Sequence, residues 1–155
     1  MDNLFEKLLK DFGENVGIPG LALDDSGCCC LSFDDLLVNV EYNDQTRQFF
    51  LSAHIGDLPA EGREALYERL LSANYFFRDT QGATLAIDKP SNRVLLVFQA
   101  PASALDATIF SNTVRNFIQT TEQWRDRVAR AGSPEVSSTV TPDTGSTAQF
   151  IQTRA

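Results

Sequence analysis

The chain has 155 residues, of which 43% are hydrophobic, and this suits a single domain with a substantial buried core. Its formal net charge of −8, with only 13 scattered Lys and Arg residues, argues against a nucleic-acid footprint and against binding to an anionic membrane surface. No run approaches 18 apolar residues, so the sequence predicts no membrane span. Residues 1–4 lack the basic and apolar regions of a signal peptide, from which we expect a cytoplasmic protein.

Apolar residues at helical spacing predict a first amphipathic helix after Asp2 or Asn3, either of which can cap it. The stripe consists of Leu4, Phe5, Leu8, Leu9 and Phe12. The Gly and Pro residues between positions 13 and 20 are expected to end this helix.

Short alternating segments separated by turn signals then predict antiparallel strands. The predicted strand segments are residues 21–23, 28–33, 37–42 and 49–55. The predicted turns between them are residues 24–27, 34–35 and 43–46. These turns are rich in Asp, Asn and Gly, whose short side chains or positive φ favour tight turns.

The second half of the domain predicts a helix, a hairpin and a longer helix. Leu66, Leu70 and Ala73 form the apolar stripe of a helix over residues 60–74. Residues 83–88 and 93–100 form a hairpin, whose second strand is apolar on both faces at residues 94–98 and is therefore expected to be covered on both sides. A capping-box-like start at residues 103–106 opens a third helix that runs to about Arg130.

The order α-β-β-β-α-β-β-α predicts an α+β fold in which three helices pack on an antiparallel twisted sheet. This domain is expected to span residues 1–131. Residues 132–155 are rich in Ser and Thr and are predicted to be a flexible tail.

Catalytic and metal-binding patterns are missing from the sequence. His54 is the only histidine, and no GxSxG, P-loop or GxGxxG motif accompanies it. The pairs at 24–25 and 34–35 are better explained as turn residues than as catalytic or calcium-binding carboxylates. The run Cys28, Cys29 and Cys30 has no metal-pair spacing, so we interpret it as reduced thiols in a strand. We therefore expect a protein without enzymatic activity, metal or cofactor.

Several short segments between Leu4 and Ala131, taken in order, resemble the class I type III secretion chaperones, the Tir-chaperone family. The segments are Leu-x-Leu-Asp at 21–24 before a Gly turn, Leu-Ser-Phe-Asp-Asp at 31–35, Ile-Gly-Asp-Leu-Pro at 55–59, Leu-Leu-Ser-Ala-Asn at 70–74 and Trp124 in the last helix. The resemblance implies a homodimer in the bacterial cytoplasm that binds the extended N-terminal segment of a secreted effector and keeps it competent for export. It also implies that the effector adds a strand to a sheet edge, with a secretion-apparatus ATPase as a further partner.

Candidate contact residues follow from this resemblance by position. The effector-binding candidates are Phe5, Leu8, Leu9, Leu31, Phe33, Val38 and Val40. The dimer-interface candidates are Leu66, Leu70, Leu71, Val94, Leu96 and Phe98. At each single position, membership of the protein's own core is the competing interpretation. Two alternatives concern function: a dimeric scaffold or regulatory module of the same fold without an export role, and a small-molecule enzyme, which would need a pocket with convergent polar groups.

Overall fold

The structure, a computed structural model, describes residues 3–131. These described residues form three α-helices, α1 (Asn3–Val16), α2 (Arg63–Asn74) and α3 (Ala107–Ala131). The strands are β1 (Cys28–Phe33), β2 (Leu36–Asn43), β3 (Gln48–Asp57), β4 (Thr84–Asp88) and β5 (Arg93–Pro101). Short helical turns follow α2 and β5, at Tyr75–Phe77 and Ala102–Ala104.

All neighbouring strands pair antiparallel in the order β1-β2-β3-β5-β4. The predicted α+β fold, with three helices and the element order given above, is confirmed. The predicted tail over residues 132–155 lies outside the described residues. Within residues 3–131, no helix is both long and apolar enough to cross a bilayer.

Three predictions need correction, namely the strand at residues 21–23 and the starts of α2 and α3, whereas the end of α1 lies within its predicted range. Residues 21–23 do not join the sheet, whose three strands before α2 agree with the predicted element order. α1 continues through Gly13 and ends at Val16, next to Gly17, which is one of the residues predicted to end it and has a φ of 81°. α2 starts at Arg63 instead of residue 60. α3 starts at Ala107, where the Asp106 carboxylate accepts a hydrogen bond from the Ile109 backbone N–H at 2.7 Å and caps the helix.

The aspartate-rich turns are built as the sequence predicts. The Asp24 carboxylate accepts hydrogen bonds from the backbone N–H groups of Ser26 (2.9 Å) and Cys28 (3.0 Å). Asn43 does the same for Gln45 and Thr46 at the next turn. Asp34 adopts a φ of 51° in the β1–β2 turn, a conformation that Asp tolerates better than most residues. These side chains shape turns.

One face of the sheet carries the core. In β3, the residues Phe49, Leu51, Ala53 and Ile55 are buried, while the residues between them are half-buried or exposed. α1 and α3 cover this face, and the Phe5 ring lies 5.7 Å from the Phe110 ring of α3. Burying a side chain of this size stabilises the fold by about 1.5–3 kcal/mol.

A bulge in β3 sets where α3 crosses the sheet. The register of β3 against β5 shifts between His54 and Gly56, and a Cβ at Gly56 would lie 2.6 Å from the Val128 Cγ1 of α3. Glycine at position 56 therefore lets the helix approach the strand closely. This accounts for the Gly of the Ile-Gly-Asp-Leu-Pro segment.

Candidate partner-binding surfaces

Most of the predicted effector contacts lie in the core of the chain itself. Six of the seven have 6% or less of their surface exposed: Phe5, Leu8, Leu9, Leu31, Val38 and Val40. A side chain with almost no accessible surface cannot contact a second chain in this conformation. These six residues therefore act as core residues of the chain itself. Phe33 is only half-buried, at the end of β1, and remains a candidate.

The predicted dimer contacts divide in the same way. Four of them are core residues with 3% or less of their surface exposed: Leu66, Leu70, Val94 and Leu96. They pack inside the chain and, in this conformation, offer almost no surface to a second copy. Phe98 is half-buried beside the core, and Leu71 on α2 is 70% exposed. Of the predicted set, Leu71 presents by far the most apolar surface to a second copy.

Leu71 and three aromatic residues that follow it along the chain form an exposed aromatic patch. We define it as Leu71, Tyr75, Phe76 and Phe77, whose side chains are 70%, 64%, 72% and 50% exposed. The rings of Tyr75 and Phe76 contact each other at 4.5 Å, and grouped exposed apolar side chains are typical of interaction sites in soluble proteins. Of this patch, only Leu71 was predicted from the sequence, and the three adjacent aromatic residues that follow the helix were missed.

The backbone of this patch holds an unusual conformation. Phe76 and Phe77 have φ values of 53° and 52°, in the left-handed region that bulky residues rarely adopt. Such strain persists where the surroundings enforce it and is typical of functional sites. The residues that follow are held to the rest of the chain: the Trp124 indole N–H donates a hydrogen bond to the Asp79 carbonyl oxygen at 2.9 Å, and Thr80 is buried.

The two edges of the sheet differ in whether they can accept another strand. At the β4 edge, the Asn74 side chain occupies the backbone of Leu85. Its amide donates to the Leu85 carbonyl oxygen at 3.0 Å, and its oxygen accepts from the Leu85 N–H at 2.8 Å. Asn74 thus imitates a neighbouring strand and blunts this edge. β1 is the opposite edge of the sheet, and its described strand partner is β2 alone. The N–H and carbonyl of its first residue, Cys28, are hydrogen-bonded to Asp24, so a further strand would pair beyond Cys28.

A groove of about 610 Å³ lies where the β1–β2 turn, the bulge of β3 and the C-terminal half of α3 meet. We call it the α3 groove. Its apolar lining comes from Leu36, Leu37 and Ile55, and its charged lining from Asp35, Glu122, Arg125 and Asp126. His54 also lines the groove, and its Nε2 atom lies 3.1 Å from the Asp57 carboxylate.

Arg125 ties α3 to the β1–β2 turn. Its guanidinium donates to both carboxylate oxygens of Asp35, at 2.8 and 3.3 Å. These hydrogen bonds, and then the positive charge of Arg125, hold the pKa of the Asp35 carboxyl below its usual value. The same bonds raise the pKa of Arg125. Asp35 is open to solvent, so this pair orders the turn more than it stabilises the fold.

The three adjacent thiols differ in their surroundings. Cys30 is exposed, whereas Cys29 packs against the core. Burial, together with the neighbouring thiols, raises the pKa of Cys29 to about 11. No group of three or more metal-ligating side chains occurs in the described part of the chain.

Comparison with known proteins identifies relatives along most of the chain. A protein of Chlamydia pneumoniae is 29% identical over 123 residues, covering 78% of this chain and 93% of the relative. The transcriptional anti-antiactivator ExsC of Pseudomonas aeruginosa is 26% identical over 120 residues, covering 77% of this chain and 81% of ExsC.

Solved structures share the fold. A chain of the ExsC–ExsE complex superposes with a TM-score of 0.71 at 25% identity, covering 83% of this chain and 97% of that one. The Yersinia pestis type III secretion chaperone SycH, in complex with a fragment of YscM2, gives a TM-score of 0.62 at 17% identity, covering 77% and 98%. Residues 7–125 match the model of the Tir chaperone protein (CesT) family. Because this match covers most of the chain, the protein belongs to the Tir chaperone (CesT) family.

Proposed function

We propose that this protein is a type III secretion chaperone. It binds the N-terminal segment of one or more secreted effectors in the bacterial cytoplasm as a homodimer and keeps that segment stable and competent for export. The observation that carries the proposal is the family match, supported by a shared fold with chains solved in complexes such as ExsC–ExsE and HopA1–SchA. The protein acts by binding the effector segment, without catalysis or a cofactor.

The effector segment adds a strand to the sheet at β1. Asn74 already occupies the Leu85 backbone near the start of the five-residue β4 edge. On β1, the backbone of the first residue, Cys28, is occupied by Asp24, and the strand has its described partner on one side only. Backbone hydrogen bonds to β1 give affinity that does not depend on the client's sequence, and side-chain contacts add specificity. Phe33 is half-buried at the end of β1. From this position its ring contacts the bound client.

The exposed aromatic patch forms the homodimer interface. Tyr75, Phe76 and Phe77 bring large, stiff apolar surfaces that lose little conformational entropy on binding. The same surface continues onto the sheet, because Phe77 lines a depression together with Ala86 and Val97. In an isolated chain this apolar surface faces water, and a second copy would bury it on both sides.

Capture by co-expression tests the client-binding function. The tagged chain is co-expressed with each product of its neighbouring genes, once at full length and once without the first part of the client. We expect one secreted protein to co-purify only when its N-terminal part is present. Equal recovery of the truncated client, or recovery of none of them, would contradict the proposal.

Light scattering of point variants tests the homodimer. Leu71→Asp places a charge in the exposed aromatic patch without touching the core, so we expect folded monomer. Ile109→Asp is the control, because Ile109 is a 46% exposed apolar residue on α3 outside the patch. If the Leu71 variant stays dimeric while its circular dichroism is unchanged, the patch is not the interface.

A regulatory module without an export role is the competing function. Both functions require a protein partner, so capture alone does not separate them. Deleting the gene should lower the secreted amount of the captured client if the chain is a chaperone. Secretion of that client should be unchanged if the chain only regulates.

A further inference from the structure

We propose that the α3 groove binds a short segment of the client in which a basic side chain stands among apolar ones. This inference rests on the proposed function, since the partner is the client, and it adds a charge requirement to strand pairing at β1. It concerns a surface that the sequence-based candidate residues do not include.

The apolar part of the groove is accessible to a partner. Leu37 lines it and is 58% exposed, although its neighbours Leu36 and Ile55 are buried. A volume of about 610 Å³ accommodates two or three side chains of an extended peptide. Covering Leu37 would remove from water one of the large exposed apolar side chains of the chain.

The charged part of the groove has an excess of carboxylates. Glu122 and Asp126 stand one turn apart on α3, where like charges destabilise a helix slightly. Within residues 3–131, neither of them takes part in an ion pair, because the guanidinium of the intervening Arg125 contacts Asp35 with both of its terminal nitrogens. Arg125 attracts both carboxylates from nearby but makes no direct contact with either. A cation entering from a partner would therefore meet two carboxylates that have no direct ion pair within the described residues.

The groove continues the proposed strand-pairing edge. Asp35 lies two residues beyond Phe33, the last residue of β1. A client strand that pairs along β1 therefore reaches the α3 groove where its own backbone pairing ends. The net charge of −8 favours the approach of such a basic segment at low ionic strength.

Another possible occupant belongs to the chain itself. Residues 148–154 read Ala-Gln-Phe-Ile-Gln-Thr-Arg, which combines apolar and basic side chains, and the connection to them starts after α3. The client is favoured because the groove begins at the β1–β2 turn, directly after the end of β1. Occupancy by residues 148–154 is a distinct outcome of the test below.

Fluorescence anisotropy with defined peptides tests the groove without an identified client. The probe is a fluorescein-labelled peptide Gly-Leu-Arg-Ile-Arg-Leu-Gly, and the matched peptide has Gln in place of both Arg residues. We expect the full chain to bind the Arg peptide more tightly. The double variant Glu122→Gln/Asp126→Asn should weaken this binding by about fivefold or more. The control Asp11→Asn/Glu14→Gln on α1 changes the net charge equally and should leave the affinity within about twofold.

Three results would overturn the proposal: no binding of the Arg peptide, equal binding of the two peptides, or equal losses in the groove variant and the control variant. Circular dichroism of each variant shows that it is folded. If Arg154→Gln in the full chain tightens peptide binding severalfold, residues 148–154 occupy the groove, and the client is not its main occupant. Capture of a client that is unaffected by the groove variant would leave the proposed function intact and reject the groove alone.

Discussion

The indole nitrogen of Trp124 donates a hydrogen bond to the carbonyl oxygen of Asp79, across 45 positions of sequence. Trp124 is a buried residue of α3, and Asp79 lies two positions beyond Phe77 of the exposed aromatic patch. The bond therefore joins the core to the segment that presents the patch. A tryptophan whose apolar ring fills the core and whose N–H holds a loop carbonyl serves both packing and positioning.

Trp124→Phe should loosen this segment. The substitution removes the only donor that the side chain offers to the Asp79 carbonyl and leaves a small cavity, so we expect a loss of about 2–4 kcal/mol in the free energy of unfolding. Urea denaturation measures this loss. Amide hydrogen exchange should speed up most at residues 78–82.

Arg127→Gln is the control, because it removes the guanidinium that lies 4.7 Å above the Trp124 ring and keeps the indole. Uniform acceleration of exchange along the chain would show that Trp124 acts through packing alone.

Asn74→Leu should open the β4 edge. The variant keeps a side chain of similar size but offers no hydrogen bonds, so the Leu85 N–H and carbonyl lose their partner. We expect a loss of about 1–3 kcal/mol in stability and a new tendency to aggregate through the edge. Thermal unfolding and light scattering over time measure the two effects. Ser72→Leu, at an exposed position of α2, is the control for added apolar surface. Aggregation equal to that of this control would contradict the blunting role of Asn74.

The thiols should react in a defined order. Because burial raises the pKa of Cys29 to about 11, only about one in a thousand of its side chains is a thiolate at pH 8. Cys30 is exposed and is attacked without an opening of the strand. The rate of reaction with a disulfide reagent at pH 8 should be at least about tenfold lower for the variant that keeps only Cys29 than for the one that keeps only Cys30. Equal rates would show that β1 opens readily.

Asp35 should titrate below an ordinary aspartate. Its pKa is lowered by the hydrogen bonds and charge of Arg125, so the pair stabilises the fold above the unfolded-state pKa near 3.8. That contribution is lost as the pH falls through the lower folded-state pKa. Arg125→Gln should return the Asp35 midpoint towards 3.8 in an NMR titration, with little change in stability at pH 7 because the pair is solvent-exposed. An unchanged midpoint in this variant would show that the turn backbone, rather than Arg125, sets the pKa.

The element order could be predicted from the sequence because hydrophobic periodicity reports it directly. The stripe from Phe5 to Phe12 and the alternation from Phe49 to Ile55 both lie where expected. The segment 21–23 was predicted wrongly as a strand, because three alternating residues do not specify whether a neighbouring strand exists to pair with them. Pairing is a tertiary property, and propensity alone does not encode it.

The contact surfaces were harder to predict, because periodicity shows that a face is apolar but not what covers it. Leu66 and Leu70 match an interface and a core equally well in sequence, and the structure places them in the core. Phe76 and Phe77 interrupt the helical pattern and resemble an ordinary loop. Their exposure depends on a left-handed backbone that only the folded chain reveals. The edge role of Asn74 likewise depends on a contact eleven residues away.

The mass of the purified chaperone–client complex tests the central claim most directly. Multi-angle light scattering of the co-expressed, co-purified sample should give two copies of this 17.1 kDa chain together with one client segment. The same preparation from the Leu71→Asp variant should lose the second copy. A single chain of 17.1 kDa with no bound client, recovered from every co-expression, would contradict the account.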